Sequence, residues 1–357
     1  LVISQICDDE KSDFLNEEFI NDNKDKIIKN IYSGINLFEK TLSNIDQSKI
    51  QKIYAWNGRR PSDGPVLYAA KYKNIQFKTY ISSAPERYYL SRGTKIHDQR
   101  MIKKSLNNFV KYFSKKKLDV KKITKDYISN KMLGKLKKNN YGHTNFIKNS
   151  TFKKPITGDY VIFFTSSGYE ITGFSDWESK IYLDQYDAMK KIINDQRLKK
   201  IKLIIRWHPL LINAGKIEKK RIQEIIDIKS LNTTHIKFDE SDNSYDYLKY
   251  AKKVITFGST IAFEANYFRK AIINLTKTPY DDLNFMYNPK SHDEAVELIK
   301  EEIQPKENNL THFYYLLEKN DIYSFKIKNF DLVKNKLVNK LSLINKLKFY
   351  FFKIFYV

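Results

Sequence analysis

Apolar residues recur at helical spacing along the first fifty positions: Phe14, Phe19 and Ile20, then Ile27, Ile28, Ile31, Ile35 and Phe38. Steps of three and four mark one face of a helix. The pattern then shortens. Lys52-Ile53-Tyr54-Ala55-Trp56 predicts a strand, closed by the polar turn Asn57-Gly58-Arg59-Arg60-Pro61. A helix is expected near 65–73 and a second strand over 76–81. Strand, helix, strand is the unit of a parallel sheet.

The second half is more regular. Tyr160-Val161-Ile162-Phe163-Phe164 and Lys202-Leu203-Ile204-Ile205-Arg206 are apolar runs without alternation, as in strands buried on both faces. Further strands are expected over 235–238, 253–257 and 271–275, with helices over 183–195, 217–228, 244–251 and 261–268. This alternation predicts an α/β fold with a doubly wound parallel sheet over 155–300.

Two stretches break the rhythm. Residues 101–154 hold 16 Lys against 2 Asp, a local +14. Ile102, Leu106, Phe109, Val110 and Phe113 predict helices there with a solvated basic face, read as the connection between the halves. Near the end, Leu337, Leu341, Ile344, Leu347 and Phe351 form an apolar stripe among six lysines, before an aromatic-rich finish. That is the pattern of a basic amphipathic helix at an anionic membrane surface. The alternative is a helix that packs back across the N-terminal domain. The expected domains are 1–150, 151–305 and a C-terminal helical part, 306–357.

Composition narrows the classes. A chain of 357 residues suggests two domains or one large α/β unit. With 41% apolar and 29% charged residues it is globular rather than disordered. Its single cysteine, Cys7, excludes an internal disulfide and a cysteine-based zinc site, and fits a reducing compartment. No apolar run reaches the ~18 residues of a membrane span. Leu1-Val2-Ile3-Ser4 does not open a signal peptide. The chain starts without Met, so a true start upstream, in a truncated N-terminal domain, is expected. The net charge of +23 implies an anionic partner. Only 9 of the 64 basic residues are Arg, however, and abundant Lys, Asn, Ile and Tyr read equally well as compositional drift. RNA-binding signatures are absent, so nucleic acid is not the expected partner.

Ligands of an open parallel sheet bind outside the carboxyl ends of its strands. Three turns there carry polar groups: Thr165-Ser166-Ser167-Gly168, Arg206-Trp207-His208-Pro209 and Gly258-Ser259-Thr260. Amides at helix starts and the basic Arg206 and His208 suit a phosphate or diphosphate. Each also has an ordinary reading: Ser and Thr as N-caps, His-Pro as a turn, Arg206 as a surface ion pair. Glu264 is either an exposed first-turn acid or an acceptor for a ribose hydroxyl in the cleft. Three such turns on one rim are less expected by chance than one.

These turns, with Asp184-Gln185 and Asp242-Asn243-Ser244-Tyr245, resemble bacterial capsular and surface-polysaccharide glycosyltransferases of the GT-B type. Trp56-Asn57-Gly58-Arg59 and Ala84-Pro85-Glu86-Arg87 resemble the N-terminal half of that family. The resemblance covers about residues 50–280, with Tyr88 where members often have a small residue. It implies two Rossmann-like domains facing a cleft, the C-terminal one holding a nucleotide-sugar. It implies Arg206, His208, Ser259, Thr260 and Glu264 as donor-site residues, with Thr165, Ser166, Ser167, Gly168, Pro209 and Gly258 around them. Asn57, Gly58 and Arg59 then lie on the acceptor side. His208 would stabilise the leaving phosphate. Glu86, Asp63 and His97 are candidates for the base, Glu86 first because it lies just past the strand over 76–81. No metal or further cofactor is implied. The acceptor would be a polysaccharide or lipid-linked glycan, at the inner face of the cytoplasmic membrane. A teichoic-acid-type polyol-phosphate transferase and a non-catalytic nucleotide-sugar or membrane-surface binding module are the alternatives.

Overall fold

Two sheets of different character organise the chain. The structure is a computed structural model that describes residues 1–11, 16–84, 87–92, 99–115, 119–133, 159–168, 172, 175–230, 232–236, 244–308, 310–312 and 325–326. Glu86, His97 and the expected C-terminal helix over 332–357 lie outside the described residues.

The N-terminal part runs α1 (Val2–Glu10), α2 (Glu17–Asp22), α3 (Lys24–Gln47), β1 (Lys52–Trp56), α4 (Gly64–Tyr72), β2 (Gln76–Ala84) and β3 (Arg87–Arg92). Strands β1 and β2 pair in parallel across α4, as the strand–helix–strand pattern predicts. The sheet then departs from the parallel expectation. β3 turns back antiparallel on β2, and β9 (Phe325–Lys326) adds antiparallel to β3, for the order β1-β2-β3-β9. Only a short connection separates β2 from β3, and parallel neighbours need a crossover of a dozen residues or more.

The basic connection supplies α5 (Gln99–Lys115) and α6 (Val120–Met132). A boundary at 150 groups these helices with the N-terminal domain. Their apolar residues Leu106 and Ile128 instead enter the core of the second sheet, beside Ile162 and Phe164.

The second sheet takes β4 (Val161–Phe164), α7 (Gln185–Asn194), β5 (Leu203–Arg206), α8 (Lys216–Ile226), β6 (Thr233–Ile236), α9 (Ser244–Tyr250), β7 (Lys253–Thr256), α10 (Ile261–Tyr267), β8 (Ala271–Asn274) and α11 (His292–Lys300). All its pairs are parallel, in the order β6-β5-β4-β7-β8. The period of two along each strand sends alternate residues to opposite cores. Ile162, Phe164, Ile204, Val254 and Ile272 pack with α9 and α10. Val161, Phe163, Leu203, Ile205, Ile255 and Ile273 pack with α7, α8 and α11. Helices therefore cover both faces, and the strand order reverses between β4 and β7, the place where such sheets open a crevice. β6 starts two residues earlier than the apolar run suggests, because Thr233 pairs with Leu203 at the head of β5.

Candidate functional site

Register aligns the rim. Phe164 at the end of β4 lies beside Arg206 of β5 and Thr256 of β7, so the three polar turns leave the sheet at one level. Their residues then divide into two groups.

Thr165, Arg206 and Glu264 are buried braces, 2%, 4% and 2% exposed. Thr165 Oγ1 accepts from the His208 amide at 2.7 Å, tying the β4 turn to the β5 turn. Arg206 Nε donates to Ser244 Oγ at 3.4 Å, which joins β5 to the start of α9. The Glu264 carboxylate pairs with Lys131 Nζ of α6, so the basic connection reaches the helix behind the Gly258–Thr260 turn. Tyr127, one turn earlier on α6, is pushed up to about 12 by burial and then by the charge of Glu264. Of the two readings of Glu264, it is not the exposed first-turn acid.

Ser166, Ser167, Gly168, His208, Pro209, Gly258, Ser259 and Thr260 are half-buried along the rim. The Ser166 amide is already engaged. Gln185 accepts from it and donates to the Ser166 carbonyl, both at 2.9 Å. Ser166 Oγ donates to the Phe257 carbonyl at 3.1 Å, across the point where the strand order reverses. His208 Nδ1 accepts from the Leu210 amide at 3.3 Å, which puts the proton of a neutral ring on Nε2. That nitrogen is then a donor. Beneath it, Trp207 is fully buried, stacked between Tyr186 and His235.

The β7 turn bends at Gly258, φ 74°, a conformation that favours glycine. Its amide donates to Asn274 Oδ1 at 3.1 Å, and Tyr280 Oη donates to the Ser259 carbonyl at 3.3 Å. Among the described residues nothing accepts from the Ser259 and Thr260 amides. Those two amides and the Thr260 hydroxyl are among the groups with which the rim can meet an anion.

Asn274 and Tyr280 escaped the sequence reading, and Gln185 and Ser244 entered it only within the resembling segments, with no role attached. Asn274 carries a readable signal. It is a polar residue closing an apolar strand, and a buried amide needs partners. Gln185 follows the helix cap Asp184, whose carboxylate accepts from the Tyr186 and Asp187 amides, and nothing local marks its reach back to Ser166.

On the N-terminal side, the loop after β1 is polar and buried. Asn57, Arg59 and Asp63 are 4%, 4% and 6% exposed. Asn57 and Gly58 both take positive φ, 52° and 81°. Asp63 Oδ1 accepts from the Arg60 amide at 2.9 Å. Burial raises the Asp63 carboxyl to about 6, against the opposing pull of hydrogen bonds from Arg60 and Gly58 and the charges of Arg60 and Arg59. Asn57 Oδ1 is buried without a donor among the described residues.

No family model and no curated protein sequence matches the chain. Solved structures do show a weak likeness. The Thermosulfurimonas dismutans KpsC β-Kdo 2,4 transferase aligns at TM-score 0.44 and 10% identity, over 74% of this chain and 78% of that one. The β-Kdo 2,7 transferase from the same organism aligns at 0.42 and 12%, over 88% of each. The Methanocaldococcus jannaschii UDP-GlcNAc 2-epimerase, in complex with UDP-GlcNAc and UDP, aligns at 0.33 and 12%, over 78% of this chain and 79% of that one. At such values the likeness is one of backbone arrangement and assigns no residue a role.

Proposed function

We propose that this chain is a glycosyltransferase of surface-polysaccharide assembly, moving a sugar from a nucleotide-sugar to a polysaccharide or lipid-linked acceptor. The observation that carries the reading is the common level of three polar turns around the strand-order reversal, with Phe164, Arg206 and Thr256 in register.

The donor phosphate sits against His208 Nε2 and the Ser259 and Thr260 amides, with Arg206 supplying positive charge from beneath. As the sugar–phosphate bond breaks, its electron pair leaves on the phosphate, and these donors stabilise the growing charge. The acceptor oxygen forms the new bond to the anomeric carbon and gives its proton to a carboxylate on the N-terminal side. Glu86 and Asp63 are the candidates for that carboxylate. Asn57, Gly58 and Arg59 shape the loop where the acceptor docks.

Incubation with CMP-, CDP-, UDP- and GDP-sugars tests the reading. One of them should release its nucleotide, and Glu86→Ala should keep nucleotide binding while losing transfer. Release of CMP together with a polyol phosphate product would favour the polyol-phosphate transferase; binding without turnover of any donor would favour a binding module. Residues 332–357 would hold the protein at the membrane. Full-length protein should sediment with anionic vesicles at low salt and leave them at high salt, whereas a chain ending at Phe330 should stay in solution. No described helix is long and apolar enough to cross a membrane.

A further inference from the structure

The loop bearing Asp63 and the turn bearing His208 belong to different sheets, yet one short helix touches the neighbours of both. At its first end, the side chain of Leu1 fills the space over Gly64, the residue after Asp63. A Cβ on Gly64 would stand 2.5 Å from Leu1 Cδ2. At its other end, the Glu10 carbonyl lies against Gly215, which caps α8 just beyond the turn that starts at Pro209. A Cβ on Gly215 would stand 1.9 Å from that oxygen, which no side chain tolerates. Between the ends, Ile6 and Cys7 are fully buried, packed with Phe19 and Ile27 of the N-terminal part and with Ile217 of α8. At the same end Lys26 of α3 forms an exposed ion pair with Glu10. Nine helical residues span about 14 Å at 1.5 Å each.

We propose that α1 is a tie that sets the spacing between the acceptor-side loop and the donor-side turn, with Gly215 and Ile217 as positioning residues for transfer. The proposal rests on the transferase reading above. Its physical basis is the steep dependence of group transfer on alignment, where a misplacement of ~1 Å costs on the order of a hundredfold. Gly215 is the sharpest probe. Its φ of −67° and ψ of 172° suit alanine equally well, so Gly215→Ala acts through the contact with Glu10 and not through backbone strain.

Cys7, the chain's one cysteine, reports the seat of α1 directly. In the wild type it should react slowly with a soluble thiol reagent; in Gly215→Ala it should react at least tenfold faster. Ile217→Ala removes packing without a clash and serves as a second variant should Gly215→Ala fold poorly. In both, affinity for CMP and UDP and hydrolysis of the donor by water should stay within twofold of wild type. Transfer to synthetic glycolipid acceptors should fall at least tenfold, in kcat rather than in donor KM. Equal Cys7 reactivity in wild type and both variants overturns the tie. Hydrolysis and transfer falling together would reduce α1 to a structural element and overturn the positioning role. A wild type that binds neither CMP nor UDP and turns over no donor sinks the transferase reading, and the positioning role with it; Cys7 reactivity still decides separately whether α1 is seated on Gly215.

Discussion

Every residue of β4, β5, β7 and β8 is buried, whereas β1 holds a single buried residue, Ala55, and leaves Tyr54 51% exposed. The two sheets thus place their order differently. In the C-terminal sheet it lies in the strands, clamped between two apolar cores, and the turns inherit fixed positions from them. In the N-terminal sheet it lies in the loop after β1, where Asn57, Arg59 and Asp63 are more buried than most of the strand that leads to them. The proposed donor site would gain from rigidity of the first kind. A loop of the second kind holds a carboxyl away from its ordinary range by surrounding it.

The contrast is broken most directly in the strands. Phe163→Ala removes a fully buried ring from the middle of β4. It should cost about 3–5 kcal/mol in denaturant unfolding, the usual toll for a buried aromatic. A loss under about 1 kcal/mol would mean that the sheet is far less tightly packed than its burial suggests.

The loop is tested through pH. Asp63 has a folded value near 6 against an ordinary 3.8. The folded chain therefore holds this proton more tightly than the unfolded one. The penalty for the buried charge is complete above pH 6 and disappears as pH falls toward 4. Asp63→Asn keeps an acceptor for the Arg60 amide and removes the charge. It should raise stability above pH 6 by up to about 3 kcal/mol, with the gain gone by pH 4. A gain that is flat with pH would place the effect elsewhere.

At the rim, His208→Ala should weaken nucleotide binding roughly tenfold or more, from the loss of a charge-assisted contact. The melting temperature should hardly move, because the Nδ1 contact to the Leu210 amide is a local one. Titration calorimetry with UDP and CMP reads the first quantity and a thermal melt the second; unchanged affinity would remove His208 from the proposed donor site. The smallest effect belongs to Tyr54→Ala. At an exposed position it should change stability by about 0.5 kcal/mol or less, which sharpens the contrast with Phe163 on the same denaturant assay.

Much of the second half could be read from the chain. Runs such as Val161–Phe164 and Leu203–Arg206 announce buried strands, and the turns after them announce the rim, because both signals are local. The first half was read less well. Pro85 marks a break before β3 without giving the direction of the next strand, and the lysine-rich α5 and α6 hide a few core residues among many solvated ones.

By itself, then, the sequence determined the strand–helix order over 160–275, the parallel second sheet and the positions of its three polar turns, since periodicity and strand ends are properties of neighbouring residues. Only the tertiary structure decided which of those polar residues meet solvent. Glu264 is claimed by Lys131, the Ser166 amide by Gln185 and the Thr165 hydroxyl by the amide of His208. A buried polar group must find a partner, and the partner comes from whichever distant segment packing brings beside it.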